Sequence, residues 1–310
     1  MISLNKITGN QMEIQYFNRK KGVIEVEKVY GEKGIKWLYE TSFGGKLAHY
    51  LAGPLTSQKY GSYQDLSISK RKIKPFISKF NINMEDYLPE QGRSESDPYS
   101  NFNQFFIRRF KEGKRDYPQS ANEMGAPAEA RYFAYDKLSD DEIIPVKGKY
   151  LSAKEVVKDE RWYPEFAGGP VLLARLCPVD YHRFHFPDGG TFLDSYPVNG
   201  KLHSVNPIAL KWRPQIFAEN ERHVSILKTE SFGKLAYVEV GAMMVGKIIQ
   251  SCKNDHFQRG EEKGYFLFGG STVIVFGEPG AWAPDNDIVQ NTKKGMETYL
   301  QLGESCAKKL

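Results

Sequence analysis

The run Tyr265-Phe-Leu-Phe-Gly-Gly-Ser-Thr-Val-Ile-Val-Phe276 decides how this part of the chain folds. Aromatic and β-branched residues on both sides of the glycines are strong strand formers, so the run reads as one β-strand with an interruption. Gly269 and Gly270 pack no side chain. Glycines inside a strand mark a bulge, a tight turn or a place where the backbone is approached closely. The sequence therefore predicts either a turn or a functional site at this point.

Ser271 gives the interruption a chemical meaning. Its hydroxyl directly follows Gly270, whose peptide carbonyl has no Cβ beside it to shield it. A serine in this position can reach back and attack the carbonyl of its own backbone. The competing interpretation is an ordinary bulge or hairpin turn, which an isolated Gly-Gly-Ser-Thr sequence favours.

The composition indicates a folded protein of 310 residues, with 40% hydrophobic and 26% charged residues. A net charge of +5 suits an anionic membrane surface and is too small to argue for a nucleic-acid partner. The three cysteines, Cys177, Cys252 and Cys306, form no motif, which predicts reduced thiols. No apolar run reaches the roughly 18 residues of a membrane span, and the start lacks a signal-peptide stretch, so we expect a protein that is neither integral nor exported by that route.

The overall pattern predicts an α+β protein, with a helical N-terminal region followed by a β-rich domain. We place the first part at residues 1–100 and the second at residues 101–310. Residues 89–100 are polar and bounded by prolines, and form the clearest linker. From about residue 125 the pattern is one of strands and turns, and a further helix is expected around residues 294–302.

Within the first part, residues 1–31 alternate weakly and predict one or two short strands. Apolar residues at spacings of three and four predict two short helices over residues 33–54. The basic segment Ser69–Phe80 contains Pro75, which suits the first turn of a helix. Its lysines stand beside aromatic residues, so this helix either lies on a lipid surface or packs its apolar face on the protein. A short helix with three buried phenylalanines is expected over residues 102–110.

A second cluster, Cys177–Pro187, places two histidines, an aspartate and an arginine among aromatic residues. On a helix His182 and His185 would share a face and could bind a metal. The composition is not helical, however, and on a strand the two would point to opposite sides. We therefore expect no metal, and instead a histidine that acts as a general base beside aromatic residues that exclude water. A purely structural histidine is the competing interpretation.

Taken together, the motifs resemble those of the phosphatidylserine decarboxylases. The most specific are the cleavage-type sequence Gly270-Ser271-Thr272, the segment Asp180–His185 and the segment Phe102–Arg108. The double glycine before the serine is similar to a clostridial-type bacterial branch. Further segments match in the family's order, namely residues 200–207, 240–246, 263–266 and 297–304.

The resemblance implies a proenzyme that cuts itself between Gly270 and Ser271 into a β chain, residues 1–270, and an α chain, residues 271–310. Ser271 would become a pyruvoyl group, a covalent cofactor that the chain makes itself. This group would form a Schiff base with phosphatidylserine and take up the electrons left by carbon dioxide, giving phosphatidylethanolamine. The two chains would form a heterodimer, and homo-oligomerisation stays open.

The resemblance also implies roles for single residues. It gives His185 the base role in self-cleavage and His182 a role in the decarboxylation step, with Asp180 orienting or charge-balancing the pair. Glu129 stands where the family has an aspartate, and Ala130 replaces a glycine. Because orienting a histidine is sensitive to a shift of about 1 Å, cleavage would be slow, or Asp180 would take over. A solvated turn carboxylate is the competing interpretation of Glu129.

A substrate with two acyl chains stays in the bilayer. The resemblance therefore implies a peripheral membrane protein on the cytoplasmic face, with residues 35–80 as the best candidates for contact with anionic lipid. Two alternatives remain open: an uncleaved, inactive relative that only binds lipid, and a pyruvoyl-dependent decarboxylase of another amino acid. An ordinary serine hydrolase is disfavoured because the Gly-x-Ser-x-Gly elbow is missing.

Overall fold

A computed structural model gives the fold of most of the chain. The helices expected over residues 33–54 fall, except for residue 37, outside its described residues, and so does Gly270. The described residues are 14–28, 37, 61–137, 152–212, 215–242, 247–269 and 271–310.

Strands dominate the described residues. They are β1 (Gln15–Asn18), β2 (Val23–Val26), β3 (Tyr87–Leu88), β4 (Arg109–Phe110), β5 (Glu123–Gly125), β6 (Ala130–Tyr135), β7 (Val171–Leu176), β8 (Arg183–His185), β9 (Gly190–Val198), β10 (Arg222–Thr229), β11 (Lys234–Val240), β12 (Ile248–Gln250), β13 (His256–Phe257), β14 (Glu262–Phe266), β15 (Ser271–Gly277), β16 (Trp282–Pro284), β17 (Glu297–Leu300) and β18 (Ser305–Lys309).

The α-helices are short. They are α1 (Ile73–Phe80), α2 (Phe102–Phe106), α3 (Ala153–Val157), α4 (Tyr163–Phe166), α5 (Pro207–Trp212), α6 (Ile216–Glu219) and α7 (Asn286–Lys293). Residues 61–65 are also helical, and 3₁₀ turns cover Ser67–Lys72 and Met84–Asp86. Among the described residues, every helix is too short or too polar to span a bilayer.

Ten strands form one large sheet in the order β13-β9-β10-β11-β15-β7-β6-β17-β1-β2. Neighbouring strands are antiparallel except β1 and β17, which are parallel. The strand β15, which begins at Ser271, lies inside the sheet between β11 and β7, and all seven of its residues are buried. Burial on both faces explains why the sequence after Ser271 is a continuous apolar run rather than an alternating one.

The run of residues 265–276 is two strands rather than one. Tyr265 and Phe266 end β14, which belongs to a separate sheet of order β12-β14-β8, whereas Ser271 begins β15 of the large sheet. Gly269 lies between them with φ of +150°, a backbone conformation that residues with a Cβ rarely adopt. Gly269 therefore lies at a crossing between two sheets, not in a bulge or a hairpin turn inside one.

The described residues confirm the α+β class and most of the predicted elements. The two strands expected near the start are β1 and β2, and the helix expected at Pro75 is α1. The helix expected over residues 102–110 is α2, but it ends at Phe106, and Arg109–Phe110 form β4. The first strands do not form a layer of their own, because β1 pairs with β17 at one side of the large sheet. A domain boundary near residue 100 stays a prediction.

The prediction of a helix around residues 294–302 is wrong. The helix α7 ends at Lys293, and Gly295 then takes a left-handed φ of +71°, a conformation that commonly terminates helices. Residues Glu297–Leu300 instead form β17, between β6 and β1. The apolar spacing of this short segment fits a helix and a strand equally, and pairing with two neighbouring strands decides for the strand.

Two hydrophobic clusters hold the elements together. The larger one surrounds the ten-stranded sheet. The smaller one is aromatic and packs α1 and α2 against the segment that precedes Ser271. Its buried members are Ile73, Phe76, Tyr99, Phe102, Phe105, Phe106, Ile107 and Phe268.

Candidate active site

Ser271 is fully buried at the first position of β15, opposite Leu176 of β7. Its Oγ lies 3.3 Å from Nδ1 of His182. The fold therefore brings together a hydroxyl and an imidazole that are 89 residues apart in the chain. This pair is the centre of the candidate active site.

The other ring nitrogen of His182 determines what this pair can do. Nε2 lies 2.9 Å from the carbonyl oxygen of Cys177, and since a carbonyl only accepts hydrogen bonds, Nε2 must carry the hydrogen. In the neutral ring Nδ1 is then unprotonated and presents its lone pair to Ser271. Burial lowers the pKa of His182 to about 3, and the positive charge of Arg108 acts in the same direction. His182 is thus a neutral imidazole that can accept the serine proton.

A closed turn holds the Cys177 carbonyl in place. The same carbonyl accepts the backbone N–H of Asp180 at 2.9 Å, while the Asp180 carboxylate accepts the N–H of Cys177 at 2.7 Å. Arg131 donates to this carboxylate at 2.6 Å, and Arg108 donates to the Asp180 carbonyl at 3.3 Å. Asp180 therefore influences His182 through the backbone, without touching the imidazole.

Aromatic rings line the site on the side of α2. The ring of Phe106 stacks on His182 with centroids 3.9 Å apart. Phe268 packs edge-on against both Phe106 and Phe102, at 4.9 and 5.0 Å. These buried rings keep water from the imidazole, which is the environment expected from the sequence for a general base.

His185 has different partners. Its Nδ1 lies 2.8 Å from the Gly260 carbonyl, and its Nε2 lies 3.2 Å from the hydroxyl of Tyr181. Both ring nitrogens are therefore engaged away from Ser271. Burial lowers the pKa of His185 as well. Of the two histidines selected from the sequence, the fold brings His182 to the serine.

Glu129 is buried, with only 4% of its surface exposed, so its interpretation as a solvated turn carboxylate is wrong. Its carboxylate accepts from Arg115 Nε at 2.6 Å, from the Tyr299 hydroxyl at 2.8 Å and from the backbone N–H of Leu302 at 3.4 Å. The ring nitrogens of both candidate histidines are occupied by other partners. Glu129 therefore binds neither imidazole in this arrangement.

The sequence profile of the phosphatidylserine decarboxylase family matches residues 102–308. The chain belongs to this family. A phosphatidylserine decarboxylase proenzyme of Clostridium perfringens is 40% identical over 298 residues, which cover 96% of this chain and all of the relative. The proenzyme of Clostridium tetani is 39% identical over 297 residues, covering 96% and 98% of the two chains. That of Desulfitobacterium hafniense is 40% identical over 293 residues, covering 94% and 97%. The resemblance drawn from the motifs is confirmed.

A buried charge network, which the sequence did not reveal, lies beside the turn at Cys177 in this decarboxylase family member. Arg175 donates to Glu27 and to Glu297, each at 2.6 Å, and Arg131 pairs with Glu27 at 3.2 Å. Burial raises the pKa of Glu27, but the two arginines outweigh it and hold the pKa at about 2. Burial raises the pKa of Asp180 to about 6, although the positive charge of Arg131 acts in the opposite direction.

The one sequence signal for this network is an arginine inside an apolar strand. Arg175 interrupts the otherwise apolar β7, and a charge in such a run requires buried partners. Those partners lie far away in sequence, so they could not be named in advance. Within the described residues no group of three or more histidines, cysteines and carboxylates could hold a metal ion.

Proposed function

We propose that this chain is a phosphatidylserine decarboxylase proenzyme. It cleaves itself between Gly270 and Ser271, and the mature form then removes carbon dioxide from phosphatidylserine to give phosphatidylethanolamine. One observation carries the proposal: in a chain of this family, the buried Ser271 Oγ lies 3.3 Å from a neutral imidazole nitrogen at the point where two sheets are joined.

The cleavage is an acyl shift followed by an elimination. The imidazole takes the proton of Ser271 Oγ, which attacks the Gly270 carbonyl carbon; the peptide C–N bond breaks, and its nitrogen takes up a proton. The resulting ester eliminates: the α-hydrogen of residue 271 is removed, the Cβ–Oγ bond breaks, and Gly270 leaves with a carboxylate. The dehydroalanine left at position 271 adds water and loses ammonia, which leaves a pyruvoyl group.

We assign the proton-accepting role in this step to His182, because its unprotonated Nδ1 faces the serine. The motif resemblance favours His185 instead, and that alternative requires His185 to leave Tyr181 or Gly260. Asp180 then acts as a positioning residue through the backbone.

Position 271 suits a neutral carbonyl group. It is fully buried, has no ionised side chain among its hydrogen-bond partners and lies beside an imidazole whose low pKa keeps it uncharged. When present, the pyruvoyl group supplies an electron sink for the loss of carbon dioxide. The chain's own contribution is to exclude water with Phe106 and Phe268, and to hold a proton acceptor at His182 Nδ1.

The two products of cleavage should stay together as a heterodimer. Residues 271–310 contribute β15 between β11 and β7, and β17 between β6 and β1. Removing them would leave unpaired strands on both sides of each gap, each with backbone groups that lack partners. The contacts of Arg175 with Glu297 and of Glu129 with Tyr299 add buried links between the two parts.

The substrate places the protein at a membrane surface, and we propose the cytoplasmic face. Of the region expected to contact lipid, residue 37 and residues 61–80 are described. Leu66 and Ile68 are 55% and 53% exposed there, next to the basic run of Lys70, Arg71 and Lys72. Exposed apolar side chains beside cations suit the boundary between headgroups and acyl chains of anionic lipid.

The proposal is tested with purified protein and two substrates, phosphatidylserine in vesicles and free serine. We expect phosphatidylethanolamine and carbon dioxide from the vesicles only, and we expect Ser271→Ala to abolish both self-cleavage and turnover. A chain that stays intact and inactive but binds the vesicles would be the lipid-binding relative. A cleaved chain that consumes only free amino acids would have another substrate.

A further inference from the structure

Asn103 connects helix α2 to the segment that carries the cleavage site. It is almost fully buried, and its Oδ1 accepts the backbone N–H of Phe268 at 3.1 Å. Phe268 lies two residues before Gly270. A side chain 165 residues away in sequence therefore holds the backbone just ahead of the bond that is to be cut.

The orientation of this amide is determined by its other end. Nδ2 of Asn103 donates to a carboxylate oxygen of Asp65 at 2.7 Å and to the Gly61 carbonyl at 3.4 Å. Both partners are acceptors, so the NH₂ group must face them and the oxygen must face Phe268. The amide cannot flip without placing like groups against each other.

The hydrogen bond between Asn103 and Phe268 lies just before the backbone crosses from the smaller sheet to the large one. The N–H groups of Phe266 and Leu267 donate to backbone carbonyls of His182 and Lys247, at 2.9 and 3.1 Å. Phe268 is held by a side chain instead, and Gly269 follows with φ of +150°. Beyond the scissile bond, strand pairing of β15 holds the chain from Ser271 onward.

We propose that Asn103 is a positioning residue for self-cleavage, with Asp65 fixing its amide. The inference rests on the proposed function. The serine hydroxyl is carried by β15, and the carbonyl that it attacks belongs to Gly270, two residues after Phe268, so attack requires the two sides to be in register. Asn103 is not among the hydrogen-bond partners of the Ser271 hydroxyl or the His182 ring, and acts by placing that carbonyl. A displacement of about 1 Å in such a geometry costs up to about 100-fold in rate.

The test follows cleavage of freshly synthesised chain in a cell-free reaction, by gel and mass spectrometry. Asn103→Leu keeps the shape of the side chain and removes its acceptor, and should slow cleavage by about 10- to 100-fold. The matched control is Asn101→Ala, on the same helix. Asn101 caps α2 by accepting the Gln104 N–H at 2.9 Å, so its loss should lower the melting temperature and leave the cleavage rate within about threefold.

An exchange of the two partners separates positioning from a general loss of structure. Asn103→Asp alone sets two carboxylates against each other and should slow cleavage. Adding Asp65→Asn restores a donor opposite an acceptor and leaves an oxygen for the Phe268 N–H, so the double variant should regain most of the rate. Because Asn103 takes no proton, the pH dependence of cleavage in Asn103→Leu should keep its wild-type shape at a lower rate.

Asn103→Leu that cleaves as fast as the wild type would overturn the inference, as would rates that merely follow the melting temperature across all variants. If Asn103→Leu does not fold, the exchange decides: rescue supports positioning, and a folded double variant without rescue overturns it. A wild-type chain that stays intact would overturn the proposed function together with this inference, whereas equal rates in a cleaving wild type and Asn103→Leu would overturn the inference alone.

Discussion

His182 and His185 belong to one short motif, yet the fold gives them opposite surroundings. His182 is fully buried against Phe106, donates to a backbone carbonyl and presents an unprotonated nitrogen to Ser271. His185, at the end of β8, donates to the Gly260 carbonyl and accepts from a tyrosine. Chemically identical side chains three residues apart thus differ in access to the serine, because on extended backbone they point to opposite sides.

The largest expected effect is the difference between the two histidines in self-cleavage. His182→Ala should slow cleavage by about 10²- to 10⁴-fold, the usual contribution of a general base. His185→Ala should stay within about tenfold of the wild type, since the contacts that it loses are with Tyr181, Gly260 and Tyr117 rather than with Ser271. Time courses of both variants by denaturing gel measure this, with melting temperatures as a control for folding. A larger loss of cleavage rate in His185→Ala than in His182→Ala would mean that His185 is the base.

The rate of self-cleavage at acidic pH tests whether the base is the buried His182. A base with the ordinary histidine pKa of about 6.5 would be only about 3% unprotonated at pH 5 and would lose about 30-fold in rate. Burial lowers the pKa of His182 to about 3, so most of its imidazole is still unprotonated at pH 5. We expect cleavage at pH 5 to stay within about threefold of that at pH 7.5. Asp180, with a pKa near 6, titrates in this range but reaches His182 only through Cys177.

A fall of tenfold or more between these pH values would contradict a buried, neutral base. The measurement uses proenzyme mixed rapidly from neutral buffer, with circular dichroism at each pH to confirm that the fold is retained.

A smaller effect is expected from the glycine between the sheets. Gly269→Ala forces a Cβ into φ of +150° and should cost about 1–3 kcal/mol, with a slower cleavage as the scissile segment shifts. Gly22→Ala is the matched control, because Gly22 has φ of +67° in a surface turn with open space around it. It should lower the free energy of unfolding by a similar or smaller amount and leave cleavage unchanged. Equal cleavage rates in the two variants would show that Gly269 has no special role.

The smallest effect on cleavage is expected at Glu129. Glu129→Gln removes the charge that Arg115 pairs with and should cost about 1–3 kcal/mol of stability, while the cleavage rate stays within about threefold. Thermal unfolding and a cleavage time course check this. A large loss of cleavage at unchanged stability would mean that Glu129 does orient a histidine, as the family motif implies.

The sequence predicted the local features well. Ser271 after two glycines, the two histidines among aromatic rings, and the helices α1 and α2 each depend on neighbours in the chain, so short patterns were enough to find them. The correct family also followed from these motifs.

What could not be predicted depends on distant contacts. That His182 rather than His185 lies beside Ser271 depends on the Cys177 carbonyl and on where β15 begins, neither of which a motif records. Arg175 donates to the carboxylates of Glu27 and Glu297, which lie more than 100 residues away in the sequence in either direction. The segment that became β17 was assigned to a helix because its strand partners were unknown.

The most direct test of the central claim is the mass of the C-terminal fragment of freshly folded protein, with and without a hydrazine that reacts with ketones. A fragment of residues 271–310 that begins with a pyruvoyl group, and that gains the mass of the reagent less one water on forming the hydrazone, is the result predicted here. An intact chain, or a fragment that begins with an unmodified serine and ignores the reagent, would contradict it.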